Sequence, residues 1–75
     1  MKRYKNFSVN YGITAYEIGS DHIKVKFRDE CIYLYTYKSA GKENVEKMKI
    51  PAERGKGLTT FINVNVKENY ELQLS

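Results

Sequence analysis

The residues of this sequence whose types and spacing could serve ligand binding are its alternating tyrosines. Tyr33, Tyr35 and Tyr37 occupy every second position of the stretch CIYLYTYK. Lys24 and Lys26 alternate in the same way within IKVKF. Tyrosine rings stack on nucleobases and lysines contact phosphates, so a face that combined both would be typical of single-stranded RNA recognition. Rings that filled a core would instead contribute to the fold.

A glycine-rich connector, RGKG at residues 54–57, is a second basic candidate. It resembles part of a phosphate-binding loop but lacks the full spacing of that motif, so we do not expect nucleotide binding. The cations of Arg54 and Lys56 could still contact RNA phosphates. An ordinary flexible connector is the other interpretation, and it is slightly favoured.

The chain offers little for catalysis or for metal binding. His22 is the only histidine and falls in a turn, whereas Cys31 is the only cysteine and falls in a strand. Catalytic sets and zinc sites need several such groups together, so we expect no enzyme activity, no metal and no cofactor. The lone cysteine weakly favours a reducing, cytoplasmic location. No apolar run approaches the roughly 20 residues of a membrane span, so no membrane contact is expected.

The positive charge is unevenly distributed along the chain. Thirteen basic and nine acidic residues give a net charge of +4. Basic residues concentrate in two separate segments, residues 1–11 and residues 38–56. Such segments favour an acidic partner, with nucleic acid first, although solubility alone would also explain a charge of this size.

Three stretches have the period of two that is typical of strands: ITAYEI at 13–18, IKVKF at 23–27 and CIYLYTY at 31–37. Short turns separate them, so the sequence predicts a three-stranded antiparallel meander. Residues 1–11 are expected to form an N-terminal arm, either disordered or an edge strand through NFSVNY. Residues 12–75 are expected to form a single domain.

The period changes after Lys38. SAGKENVEKMKI predicts a short helix with Ser39 as its candidate N-cap, and Pro51 should end or bend it. In the last segment, the alternation of INVNV predicts a strand, whereas apolar residues at every fourth position from Leu58 to Tyr70 predict a helix. The predicted fold class is α+β: a three-stranded antiparallel meander packed against a short helix, with a C-terminal helical or extended segment that closes the core.

The order of these motifs resembles the KTSC domain. This short bacterial domain occurs at the C-terminus of some lysyl-tRNA synthetases and as a free-standing protein. Its Y-x-Y motif is matched by Tyr33–Leu34–Tyr35, and its V-x-F strand by Val25–Lys26–Phe27. The residues that match its C-terminal pattern are Phe61, Ile62, Asn63, Val66 and Tyr70. The resemblance implies RNA binding only by association with a tRNA-handling enzyme.

The loop between the second and third strands decides which way the tyrosines face. A two-residue loop, 29–30, would pair Lys24 with Tyr35 and place rings and lysines on one face. A three-residue loop, 28–30, would pair Ile23 with Tyr35 and turn the rings to the core, since a one-residue slip exchanges the two faces. The family usually has glycine where this chain has Glu30, and glycine favours the longer loop. We favour the core orientation, and the platform orientation stays open.

The function expected from the sequence is a small non-catalytic RNA-binding module for tRNA-like or single-stranded RNA. A protein–protein interaction module that uses an exposed sheet edge or an apolar patch is the alternative. The candidate RNA contacts are Tyr33, Tyr35, Lys24, Lys26, Arg54 and Lys56.

Overall fold

A computed structural model describes residues 1–5 and 12–74 of the chain. The strands are β1 (Lys2–Arg3), β2 (Ile13–Ile18), β3 (His22–Phe27), β4 (Ile32–Thr36) and β5 (Leu72–Gln73). The helices are α1 (Tyr37–Ala40), α2 (Lys42–Arg54) and α3 (Leu58–Phe61), and α3 continues as a π-helical stretch, Ile62–Val66. The α+β class predicted from the sequence is confirmed.

The strands form one antiparallel sheet in the order β1-β2-β3-β4-β5. Its centre, β2-β3-β4, is the predicted meander, since consecutive strands pair antiparallel. Burial alternates along β3, whereas in β2 a register shift between Ile13 and Ala15 lets both Ile13 and Tyr16 be buried. Short strands that the pattern did not indicate pair at both edges. The edge strand suggested for NFSVNY falls on residues 6–11 and lies outside the described residues.

The first helix begins one turn earlier than the sequence predicts. Thr36, and not Ser39, is the N-cap: its hydroxyl accepts a hydrogen bond from the Ser39 N–H at 3.0 Å. The Ser39 hydroxyl in turn accepts one from the Thr36 N–H at 3.1 Å, which completes a capping box. The prediction of Ser39 as the cap is wrong because a threonine three residues earlier ends β4 in an extended conformation.

Helix α2 does not end at Pro51. The helix continues to Arg54 and ends where Gly55 adopts a left-handed conformation, φ 87°, with its N–H bonded to the Pro51 carbonyl. A proline inside a helix removes one backbone hydrogen bond. Burial of the neighbouring Met48 and Ala52 in the core favours continuation of the helix despite that loss.

The C-terminal segment is helical, then extended. Leu58, Ile62 and Val66 are all buried, whereas Val64 is 74% exposed, as the four-residue spacing requires and a strand would not. The chain then crosses to the sheet edge, where the Leu74 N–H bonds to the Ile32 carbonyl at 2.7 Å. Of the two predictions for this segment, the helix is therefore correct over Leu58–Val66, whereas the strand predicted for INVNV is wrong: the extended part lies later, at Leu72–Gln73.

One apolar core holds the helices to one face of the sheet. The sheet supplies Ile13, Tyr16, Ile23, Val25 and Tyr35, and the helices supply Val45, Met48, Ala52, Leu58, Ile62 and Val66. We call the face of the sheet that this core covers the inner face, and the opposite face the outer face. The buried residues of every described helix belong to this core, so no helix within 12–74 covers the outer face.

Candidate functional site

The β3–β4 loop has three residues, and it sets the faces of the sheet. The Phe27 N–H donates to the Cys31 carbonyl at 2.8 Å, and the register pairs Val25 with Tyr33. Glu30 occupies the left-handed region at φ 72°, where glycine is the usual residue. Of the two loops considered, the structure has the one that directs the tyrosines inward.

Tyr35 is sealed inside the core. Its side chain is 1% exposed, and its hydroxyl donates to the Lys67 carbonyl at 3.2 Å. Burial raises the pKa of this phenol to about 12, which keeps it neutral. A ring without an exposed face cannot stack on a base, so Tyr35 has no place in a stacking platform.

Tyr33 lies on the same face but nearer its margin, and it is half-buried. Its ring meets Phe27 at 5.5 Å in an edge-to-face contact and Tyr70 at 4.6 Å in a tilted one. These three rings line a groove of about 300 Å³ between the β3–β4 hairpin and the C-terminal segment. We call it the aromatic groove. Desolvation raises the pKa of Tyr33 as well.

Lys24 and Lys26 lie on the outer face, away from the tyrosines. Lys24 forms an ion pair with Glu17 at 3.4 Å, and Lys26 forms one with Glu30 at 2.8 Å. Each of these lysines therefore has an acidic neighbour, and the negative charge of that neighbour weakens the attraction of the lysine for a phosphate. The structure does not bring together the rings and lysines that the platform orientation would combine.

Arg54 and Lys56 instead meet the N-terminal arm. The Tyr4 hydroxyl accepts a buried hydrogen bond from the Leu58 N–H at 3.2 Å. Beside it, the Lys5 backbone packs so closely on Gly55 that a Cβ added there would lie 2.6 Å from the Lys5 Cβ. The start of the first basic segment and the end of the second, far apart in sequence, thus lie side by side. We call the exposed cations of these two stretches the arm–connector cluster: Lys2, Arg3, Lys5, Arg54 and Lys56. The strand pairing puts Lys2 on the side of Tyr16 and Arg3 on the side of Ala15, so these two point to opposite faces of the sheet.

This cluster holds the net charge of the protein. It contains five of the thirteen basic residues, and Glu53 is the one acidic residue within the same two segments, 1–5 and 53–58. The other eight basic and eight acidic residues cancel. Within residues 1–5 and 12–74, none of the five cations has an ion-pair partner, unlike Lys24 and Lys26. Sequence reasoning found both segments, but only the fold joins them.

An apolar patch occupies the outer face at the β4–β5 edge, and sequence reasoning missed it. Leu34 pairs with Leu72, and Leu74 bonds to Ile32, so all four side chains lie on the face opposite Tyr33. Leu72 is 52% exposed and Leu74 is 47% exposed. We call these four residues the outer apolar patch. The alternation within β4 could have indicated that Ile32 and Leu34 share a face. The strand that carries Leu72 is too short to show an alternation in the sequence.

Neither His22 nor Cys31 has the surroundings of a catalytic group. They occupy opposite ends of the β3–β4 hairpin, five residues or roughly 16 Å apart along the strands. His22 contacts Asp21 at 3.1 Å, and desolvation raises the pKa of the Cys31 thiol, which disfavours the reactive thiolate. No group of three metal-ligating side chains occurs among the described residues.

Comparisons with known proteins add no relative. No family model, no curated protein and no solved structure matches the chain. The resemblance to the KTSC domain therefore stays a prediction. In residues 1–5 and 12–74, no helix is both long and apolar enough to cross a bilayer.

Proposed function

We propose that the protein is a small non-catalytic module that binds RNA through the arm–connector cluster. The observation that supports this proposal is that two basic stretches of the chain lie next to each other and together carry the whole net charge. Lysine and arginine side chains contact phosphates without reading sequence, so the cluster suits the backbone of a tRNA-like or single-stranded RNA.

Base stacking is not part of this mechanism. Tyr35 is buried, and Lys24 and Lys26 are paired with carboxylates. Of the six contacts predicted from the sequence, Arg54 and Lys56 are the ones that we retain in the RNA site. Lys2, Arg3 and Lys5 join them, because the Tyr4–Leu58 hydrogen bond holds the arm against the connector.

The test is RNA affinity measured as a function of salt concentration. Pooled tRNA and a mixed single-stranded RNA should both bind at low salt. The affinity should fall as the salt concentration rises, because the counterions released on binding then gain less entropy. In the double variant Arg54→Glu/Lys56→Glu, we expect at least a tenfold loss of affinity, on the order of 1.4 kcal/mol, with a shallower salt dependence.

The matched control makes the same charge change elsewhere. Lys38→Glu/Lys42→Glu reverses two exposed cations of the α1–α2 region, outside the cluster. If the control lost as much affinity as the cluster variant, only net charge would matter and the site would be wrong. Absence of binding to either RNA at low salt would overturn the function itself.

We also propose membership of the KTSC family and a cytoplasmic location. The left-handed backbone at Glu30 supports the first, because the family usually has glycine at this position. The lone Cys31, which forms no disulfide, supports the second. Both proposals are compatible with RNA as the partner.

A protein-interaction function is the second candidate, and the outer apolar patch favours it. Two of its leucines are about half exposed next to β5, an edge strand of the sheet. Exposed apolar side chains beside a sheet edge are typical of strand addition by a partner. Sedimentation at rising concentration tests a second copy as that partner, and Leu72→Ser should shift any dimer toward monomer. A monomer at all concentrations would exclude self-association.

A further inference from the structure

The aromatic groove is independent of the RNA site and is built from different chemistry. It lies at the side of the core between the β3–β4 loop and the residues that follow the π-helical stretch. Its volume of about 300 Å³ falls at the lower end of the range for small-ligand sites. A ligand about the size of a single amino acid side chain or a small amine is therefore the right scale.

Three aromatic rings form the apolar part of the groove. The Phe27 and Tyr33 planes meet at 79° and the Tyr33 and Tyr70 planes at 49°, so neither pair is stacked. Rings inclined to one another in this way line the groove without covering one another face to face. The face of an aromatic ring carries partial negative charge and attracts an organic cation within about 6 Å.

The charged residues of the groove favour the same ligand. Among the described residues that line it, Asp29 and Glu68 are acidic and Lys67 is basic. The groove therefore has a net negative charge, in contrast to the arm–connector cluster.

We propose that the aromatic groove binds an organic cation of the methylated ammonium class. A trimethylammonium group matches both halves of the groove, since its methyl groups contact rings while its charge faces carboxylates. Phosphate and nucleobase-phosphate ligands match less well, because the two carboxylates outweigh the charge of Lys67 and repel them. The cation could be a free amine or the side chain of a methylated lysine in a peptide, since both present the same group.

The experiment compares a cation with its uncharged analogue of equal shape. Choline and its carbon analogue, in which a tert-butyl group replaces trimethylammonium, are titrated while the ring protons of Tyr33 and Tyr70 are followed by NMR. We expect choline to bind at least about fivefold more tightly than the analogue. Equal binding of the two, or no shift of these rings at millimolar ligand, would overturn the proposal.

A second comparison separates the sources of the cation. If a trimethyllysine peptide binds more tightly than free choline and the unmethylated peptide does not, the natural ligand is a methylated lysine of a protein. Choline binding tighter than either peptide would favour a free amine. Each of these results supports the cation site. If choline and the methylated peptide both bind more weakly than the uncharged analogue, the proposal is contradicted.

Two variants locate the site, one at an exposed carboxylate and one at a ring that also packs against the core. Glu68→Gln changes an exposed side chain and should weaken choline severalfold while leaving the uncharged analogue unaffected. Tyr70→Leu removes one ring and should weaken choline more than the analogue. Lys38→Gln, outside the groove, is the control and should change neither. If both groove variants bound choline as the unmodified protein does, the cation would bind elsewhere and the proposal would fail.

Discussion

The two faces of the β3–β4 hairpin share one backbone but differ in the burial and the chemistry of their side chains. On the inner face, Ile23 and Val25 are fully buried beside Tyr35, and helices close over them. On the outer face, Lys24 sits beside Leu34, and both side chains keep contact with water. The side chains of the two faces alternate along the same two strands, so their different roles depend on the register of the pairing.

The loop of residues 28–30 fixes that register. Its third residue, Glu30, takes a positive φ, and the Glu30 N–H bonds to the Phe27 carbonyl at 3.0 Å. One residue fewer would place Tyr33 and Tyr35 beside the lysines on the open face. The comparison shows that an alternating aromatic motif indicates its face only when the loop before it is known.

Replacement of Tyr35 should have the largest effect of any single change on the hairpin. Tyr35→Ala empties a fully buried ring site, and we expect a loss of about 3–5 kcal/mol in the free energy of unfolding. Leu34→Ala, one residue away on the outer face, should cost about 1 kcal/mol or less, since its cross-strand contact with Leu72 is partly exposed. Urea denaturation of both variants measures the difference.

The contrast between the two variants tests the faces. Similar losses for Tyr35→Ala and Leu34→Ala would contradict the assignment of an inner and an outer face. A larger loss for Leu34→Ala than for Tyr35→Ala would indicate the two-residue loop, with the leucine buried and the rings exposed.

Alkaline titration should test the burial of Tyr35 on the inner face by a second measurement. The pKa of Tyr35 is about 12 in the folded protein against an ordinary value of 10.0, so folding favours the neutral phenol. Its contribution to stability is complete below pH 10 and is lost as the pH rises from 10 toward 12. We expect the unfolding free energy to fall in that window.

The matched variant is Tyr35→Phe, which cannot ionise. It should flatten the fall above pH 10, although Tyr4, Tyr33 and Tyr37, whose pKa values are also raised, keep part of it. The variant should also lose about 1 kcal/mol at neutral pH with the hydrogen bond to Lys67. An unchanged slope in the variant would mean that Tyr35 is not the buried phenol.

Glu30→Gly tests the loop and should stabilise the protein. A side chain at φ 72° costs about 1 kcal/mol, and glycine avoids that cost. We expect a gain of about 1 kcal/mol in thermal or urea unfolding. Glu30→Gln is the control: it removes the exposed ion pair with Lys26 but keeps the strained backbone, so it should change stability by about 0.5 kcal/mol or less. Loss of stability in the glycine variant would contradict the three-residue loop.

Local patterns predicted the parts of the fold that local forces determine. Alternation predicted β2, β3 and β4, and its clearest case is β3, where one buried face leaves a period of two. The irregular pairing between Ile13 and Ala15 in β2 left no signal in the sequence pattern. The four-residue spacing of Leu58, Ile62 and Val66 was equally informative, but the alternating INVNV competed with it until burial distinguished them.

Long-range contacts explain what the sequence could not show. The arm–connector cluster depends on a hydrogen bond between Tyr4 and Leu58, residues 54 positions apart. The aromatic groove likewise needs Tyr70 to return beside Tyr33. Neither contact leaves a local period, so the sequence indicated the charges and the rings but not which of them would meet.

The smallest expected effect concerns the lysines of the outer face. Lys24→Gln breaks a partly exposed ion pair with Glu17, and such pairs contribute about 0.2–1 kcal/mol to stability. It should also leave RNA affinity nearly unchanged, since the Glu17 carboxylate already offsets this charge. Lys56→Gln removes one positive charge from the arm–connector cluster and should weaken RNA severalfold at low salt. Equal losses of RNA affinity in the two variants would mean that the outer face also belongs to the RNA site, because paired and unpaired lysines would then contribute alike.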